Sequence, residues 1–353
     1  MAERLDHYRL LGRSGLRVSP LCLGTMTFGV GFGQWGSTDE EAEQMFRMYT
    51  ERGGNFLDTA NFYGQGGSER LVAKLVRGER DRYVIATKYS LMMGKDDPNA
   101  CGNHRKNMMR SVEDSLKRLE TDYIDLLYLH MWDFHTPVEE ILRAFDDLVR
   151  QGKVNYVGVS DLPAWQASRM QAIADLRGWS PLVALQIQYN LAERTVERDL
   201  IPMAQEMGMG VLPWSPLAGG VLTGKYTAAD LKPAVQPSFD SRKGINLATG
   251  RLTERTLAIA DEVKNVAQEL GCTPSQVALA WTLVNPAVTS TILGARTPAQ
   301  LQDNLGALDI SLSAEHLARL DRISKIELGF PHDLLAFAEV GPMFGGIKVR
   351  RRR

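Results

Sequence analysis

Eight short apolar runs that alternate with segments of helical periodicity constrain this 353-residue chain more than any other feature. The runs occupy residues 21–28, 55–60, 83–89, 123–130, 154–160, 184–190, 210–215 and 289–294. Helix-period segments lie between them at 39–52, 68–77, 106–120, 138–151, 164–177 and 195–207. The runs are continuous rather than alternating, as expected of strands covered on both faces. Eight such strands with intervening helices predict an α/β fold, a (β/α)8 TIM barrel, whose reactive groups sit at the C-terminal strand ends. Tyr8–Leu11 and Leu16–Val18, joined through Gly12 and Gly15, predict an N-terminal hairpin. Barrels of this kind exceed 250 residues undivided, and no Pro/Ser-rich linker interrupts this chain, so a single domain spanning 1–353 is expected. A long segment follows the seventh strand, from about 216 to 252, and loops of that length usually carry function. An extra helix is expected at 313–326, followed by an irregular tail through Gly329, Pro331 and His332.

Composition narrows the function classes. Hydrophobic residues make up 44% and charged residues 24% of the chain, the balance of a soluble globular protein. The net charge of −1 supplies no field for nucleic acid or an anionic membrane. Cys22, Cys101 and Cys272 match no metal-ligand or CxxC spacing and favour a reducing compartment. The N-terminus lacks an apolar signal core, and no apolar run reaches membrane-spanning length. A cytoplasmic enzyme is expected. The basic tail at 348–353 reads as a solubilising, disordered end.

Three consecutive strand mouths carry reactive side chains. The second run ends in Asp58, with Tyr63 just beyond it in a Gly-rich loop; the third ends in Lys88 and the fourth in His130. Singly, each has an ordinary role: an Asx turn, a packing tyrosine, an edge lysine, a core histidine. Found together in this order, they resemble the catalytic tetrad of the aldo-keto reductases. The resemblance runs from about Leu10 to about Asn304. It implies NADPH-dependent reduction of small aldehydes and ketones, with Tyr63 as proton donor. A free phenol has a pKa near 10 and needs help to act near neutrality. Lys88 would lower that value, Asp58 would balance Lys88, and His130 would orient the carbonyl. The family also contains channel-associated, nucleotide-binding subunits with little turnover, and these have asparagine where this chain has His130. His135 lies close to His130, but Pro137 and the lack of a third ligand argue against a metal.

A competing motif is present. Gly31-Phe32-Gly33-Gln34-Trp35-Gly36 spells the dinucleotide fingerprint GxGxxG, with Asp58 at a ribose-like distance beyond. In that fold the glycines open the helix. Here Thr38 and Glu41 form a capping box, so the helix starts after all three glycines.

The cofactor contacts are implied by the resemblance. Gly24, Thr25 and Met26 end the first strand at the cofactor. Ser160, Asp161 and Gln186 stand where the family holds the nicotinamide carboxamide. Asp161 replaces the usual asparagine; an ionised Asp accepts from a carboxamide nitrogen but cannot donate to its oxygen. Trp214 would stack on the nicotinamide. Ser215, Pro216, Leu217, Ala218, Gly219 and Lys225 resemble the pyrophosphate loop, and Arg242 a residue that closes over the cofactor. Gly294, Arg296, Gln300, Asp303 and Asn304 resemble the adenosine and 2′-phosphate site. Gly294, Ala295 and Gln300 replace a lysine, a serine and an arginine common there, while Arg296 keeps a bidentate phosphate partner. NADP(H) is the expected cofactor. Phe28, Trp35, Tyr89 and Trp132, with Met92, Met93 and Phe239, are the expected substrate walls, suited to an apolar or aromatic small-molecule carbonyl compound. The sequence sets no oligomeric state.

Overall fold

The computed structural model describes residues 3–29, 36–231 and 241–348. A short antiparallel hairpin, β1 (Arg9–Leu10) and β2 (Arg17–Val18), precedes the barrel. The barrel strands are β3 (Leu21–Gly24), β4 (Phe56–Asp58), β5 (Val84–Tyr89), β6 (Ile124–Leu129), β7 (Val154–Ser160), β8 (Leu182–Gln188), β9 (Gly210–Trp214) and β10 (Thr291–Gly294). They form one parallel sheet in chain order, with β10 beside β3. The last seam, between β9 and the start of β10, is closed by a bridge from Val211 to Val288. The Val211 N–H donates to Ala287 O at 3.1 Å, and the Thr289 N–H donates to Val211 O at 2.9 Å. The eight strands thus make a nearly closed (β/α)8 barrel, as the run count predicts.

The continuous apolar character of the strands has a direct packing cause. Successive side chains point to opposite faces. In β6, Leu126 and Tyr128 join a cluster inside the barrel with Phe56, Ala86, Ala184 and Leu212. Leu127 and Leu129, between and after them, join the larger layer against the helices, with Met45, Val112, Phe145 and Val263. Burying such a side chain contributes about 1.5–3 kcal/mol, so a polar residue is costly on either face.

Helix starts follow their caps. The Thr38 hydroxyl accepts from the Glu41 N–H at 3.2 Å, and Glu41 accepts from the Thr38 N–H at 2.9 Å. This capping box starts the helix at Asp39, beyond the three glycines. Residues 31–35 of the GxGxxG segment, including Trp35, lie outside the described residues, as does Phe239. The expected helix at 195–207 is divided into a 3-10 turn, Thr195–Glu197, and a helix, Leu200–Glu206. Pro202 explains the break, because proline fits only in the first turn of a helix. The long segment after β9 carries 3-10 turns at Ala218–Thr223 and Ala228–Leu231 and a helix at Arg242–Ala248. Two long helices, Glu254–Leu270 and Pro274–Val284, lead into β10. The extra C-terminal helix is Ala314–Ser324, and the expected irregular tail contains a second one, His332–Val340. Among the described residues no helix is long and apolar enough to cross a membrane.

The hairpin closes the end of the barrel opposite the reactive strand mouths. Leu11 and Val18 are fully buried in the inner cluster. Between them Gly12 takes φ 54°, and a Cβ there would sit 2.3 Å from Val183 O and 2.6 Å from Gly208 O. Those contacts are backbone and have little freedom to move. Gly12→Ala is expected to destabilise the fold by about 1–3 kcal/mol. The urea midpoint should drop with the denaturant slope unchanged.

Candidate active site

Parallel register brings the ends of β4, β5 and β6 together. Asp58 is the last residue of β4 and pairs with Ala86 of β5. Lys88, in β5, pairs with Tyr128 of β6. His130 follows β6 directly, and its N–H donates to Tyr89 O at 3.0 Å. Tyr63 opens a tight turn, Tyr63–Gly66, in which Gly64 and Gln65 take left-handed backbone. The four residues that the sequence singles out therefore lie at one mouth of the barrel.

Lys88 is the centre of the arrangement. Its ammonium donates to Asp58 Oδ1 at 2.5 Å, to Thr59 O at 2.8 Å and to the Tyr63 hydroxyl at 3.4 Å. Lys88 is fully buried and Asp58 is 3% exposed. The other Asp58 oxygen accepts from Gln186 Nε2 at 2.8 Å, across the barrel from β8. Three donors satisfied by three acceptors, with the carboxylate doubly held, meet the condition under which a buried ion pair is tolerable. The Thr59 carbonyl is a site component invisible to sequence reading, since any residue supplies one.

The electrostatics follow from burial and from this pair. Burial alone would drive the Lys88 pKa down; the Asp58 carboxylate and Tyr63 reverse that and hold it above its ordinary value. Burial raises the Tyr63 phenol, and the Lys88 ammonium only partly offsets it. This differs in sign from the net lowering expected from Lys88 alone. Burial, and then Lys88, push His130 down to about 3, so its imidazole is neutral throughout the working range. Its ring meets Tyr63 edge-on, with centroids 5.8 Å apart.

The neighbouring strand ends carry the other expected residues. Ser160, at the end of β7, is 1% exposed. Asp161 next to it takes φ 46° and accepts from the Trp214 indole N–H at 3.1 Å. Burial raises its carboxyl to about 6, against the lowering effects of the Trp214 hydrogen bond and Lys88. After β9, Ser215, Ala218, Gly219 and Gly220 all have left-handed backbone. The Gly219 N–H donates to Ser215 Oγ at 3.1 Å, and Asn246 Nδ2 donates to Gly219 O at 3.1 Å. A Cβ on Gly219 would lie 2.3 Å from Asn246 Oδ1, and one on Gly220 would lie 3.1 Å from Lys225 Nζ. Burial lowers the Lys225 pKa, and Arg296 and Arg242 lower it further. Like charges gathered over a glycine turn form a donor set suited to phosphates.

Other expected residues are placed differently. Thr25 is buried, and its hydroxyl donates to Asp58 O at 2.9 Å. Gln300 accepts from the Arg296 N–H at 2.9 Å, and Asp303 accepts from Thr273 Oγ1 and Gln276 Nε2, both at 3.1 Å. Asn304 reaches Gly294 O at 3.5 Å. Gly294 is exposed, Met26 is 37% exposed, and Gly24 packs against Ile292 and Leu293. Phe28 and Tyr89 lie in the core, and the Tyr89 hydroxyl donates to Asn103 O at 3.0 Å. Trp132 is 7% exposed and meets Phe134 edge-on; among the described residues its indole N–H has no partner. Two residues escaped sequence reading. Arg251 places its guanidinium 5.8 Å from the centre of the Trp214 ring. Asn61, fully buried between Thr59 and Tyr63, has no partner for either side-chain polar atom among the described residues. Among the described residues no cluster of His, Cys, Asp and Glu is arranged to hold a metal.

Comparison with known proteins gives the family. The aldo/keto reductase family profile matches residues 20–325. A norsolorinic acid reductase of Aspergillus flavus is 39% identical over 341 residues, covering 94% of this chain and 84% of the relative. An uncharacterised oxidoreductase of Bacillus subtilis is 40% identical over 331 residues, covering 90% and 95%. An aryl-alcohol dehydrogenase [NADP(+)] of Phanerodontia chrysosporium is 35% identical over 340 residues, covering 92% and 88%. The chain belongs to the aldo/keto reductase family and is an oxidoreductase.

The Lys88–Asp58 pair yields a stability test. Lys88→Met strands a buried carboxylate and is expected to cost about 3–5 kcal/mol. Adding Asp58→Asn removes the stranded charge and should recover part of that loss. Urea unfolding of both variants measures it; a double variant weaker than Lys88→Met by the full cost of a second lesion would contradict the coupling.

Proposed function

We propose that the protein reduces small aldehydes and ketones to alcohols with NADPH, using Tyr63 as proton donor. The observation that carries this reading is the Tyr63 hydroxyl, 3.4 Å from Lys88 Nζ and beside the neutral ring of His130. The glycine turn at Gly219 and Gly220, with Lys225, Arg242 and Arg296, fits the phosphates of a dinucleotide. When bound, the nicotinamide supplies a hydride to the carbonyl carbon.

The chain's own residues do the rest. A neutral His130 donates a hydrogen bond to the carbonyl oxygen and fixes its direction. Tyr63, kept protonated by burial, gives its proton to that oxygen as negative charge develops. The phenolate left behind is stabilised by the Lys88 ammonium, already held in place by Asp58 and Thr59 O, so no reorganisation is needed at the moment of reaction. Solvent then restores the phenolic proton. Trp132 on the mouth favours an aryl carbonyl compound, in keeping with a relative named for aryl alcohols.

Tyr63→Phe should bind NADPH normally and lose about 10²–10⁴-fold in carbonyl reduction. Tryptophan fluorescence quenching follows the binding, and NADPH absorbance the turnover. Turnover near that of the wild type would remove Tyr63 from the mechanism.

Arg296→Ala should weaken NADPH but not NADH. Loss of a charged partner to the 2′-phosphate costs about 1.5–3 kcal/mol, roughly tenfold to a hundredfold in affinity. Unchanged NADPH affinity would move the 2′-phosphate site toward Lys225 or Arg242.

A further inference from the structure

The charges at the reactive mouth do not cancel. Lys88 and Asp58 neutralise each other at 2.5 Å. Tyr63 is a neutral phenol and His130 a neutral imidazole, for the reasons given above. Asp161 remains. It follows the last residue of β7, and its left-handed backbone, φ 46°, accompanies a carboxyl that reaches across to the Trp214 indole of β9. Its own carbonyl accepts from the Trp132 N–H at 3.3 Å. It is close enough for its charge to raise the Tyr63 pKa and for Lys88 to lower its own. The indole satisfies Oδ1; among the described residues Oδ2 makes no hydrogen bond. A hydride donor serving a carbonyl held by Tyr63 and His130 must therefore lie near this carboxylate.

Resting on the reductase reading above, we propose that Asp161 sets the redox preference of the site, its carboxylate holding the oxidised, cationic nicotinamide more tightly than the reduced, neutral one. An asparagine at the same place would present similar hydrogen-bonding atoms without the charge. It would accept from Trp214 equally well, and it tolerates left-handed backbone equally well. The difference between the two side chains is thus electrostatic. In a partly desolvated site a unit charge acts on another across several ångströms with an effect of about tenfold or more on an equilibrium. The carboxylate biases the protein toward retaining NADP+ and shifts the bound equilibrium toward hydride donation, that is, toward the alcohol.

The pH sign follows from the groups facing Asp161. Lys88 from β5 and Arg251 over the Trp214 ring stay cationic between pH 5 and 8; Tyr63 and His130 stay neutral. Asp161, raised to about 6, is largely protonated at pH 5 and ionised at pH 8. The nucleotide 2′-phosphate also titrates near 6, but it does so in both redox forms and drops out of their ratio.

The test is the ratio of NADPH to NADP+ dissociation constants, measured by tryptophan quenching for wild type and Asp161→Asn at pH 5, 6, 7 and 8. In the wild type the ratio should rise about tenfold from pH 5 to pH 8. In Asp161→Asn it should stay flat, at the wild-type pH 5 value. A flat wild-type ratio overturns the inference even if the variant does not fold. A variant that rises with pH as the wild type does overturns it too, by moving the titrating charge elsewhere. Tight binding of both nucleotides with a flat ratio leaves the reductase reading standing alone, whereas binding of neither removes both.

Discussion

The buried contact between the Lys88 ammonium and the Asp58 carboxylate is the interaction on which the rest of the site depends. Neither group survives charged in a barrel interior by itself, because isolated burial would neutralise it. Together they are tolerable, and only with further partners: Thr59 O and Tyr63 on one side, Gln186 on the other. The pair thereby spans β4, β5 and β8, so a hydrogen-bond chain crosses the barrel mouth. It fixes where the phenol of Tyr63 sits and supplies the field in which that phenol would donate. Burial, and then the same field, push His130 toward its neutral form, which suits a hydrogen-bond donor to a carbonyl better than a titrating cation would.

Much of this was legible in the residues. Strand ends could be read because a charged side chain terminating an apolar run has few places to go except the mouth of a barrel. The Thr38–Glu41 capping box correctly placed the helix start after the GxGxxG glycines. What escaped was of two kinds. Backbone groups such as Thr59 O leave no mark in a side-chain alphabet. Balances between opposing effects are equally hidden: the ammonium beside Tyr63 was visible, but the burial that outweighs it depends on how the whole mouth packs. Asp303 illustrates a third limit. Its carboxylate, read as a cofactor contact, also accepts hydrogen bonds from Gln276 of the preceding helix and from that helix's cap, Thr273, partners that the sequence does not pair with it.

The C-terminal region was misread for a local reason. Gly329 and Pro331 are strong breakers, and they do end the preceding segment, but Pro331 also stands immediately before the helix His332–Val340. A proline at a helix start and a proline in a loop look alike until the following residues are seen to wind. Pro202 shows the same ambiguity from the other side, dividing a continuous helical pattern into two pieces.

The pairing of β10 with β3 has a consequence for how the chain is made. Thr291 lies opposite Leu21, so the first barrel strand waits for the last before its edge is covered. During synthesis a row of unpaired backbone groups on β3, flanked by apolar side chains, stays open until nearly the whole barrel has emerged. Such an edge is a template for pairing with another chain. The ribosome-bound intermediate, rather than the finished enzyme, is therefore the form of this protein most prone to aggregate, and a truncation before residue 291 would make that state permanent.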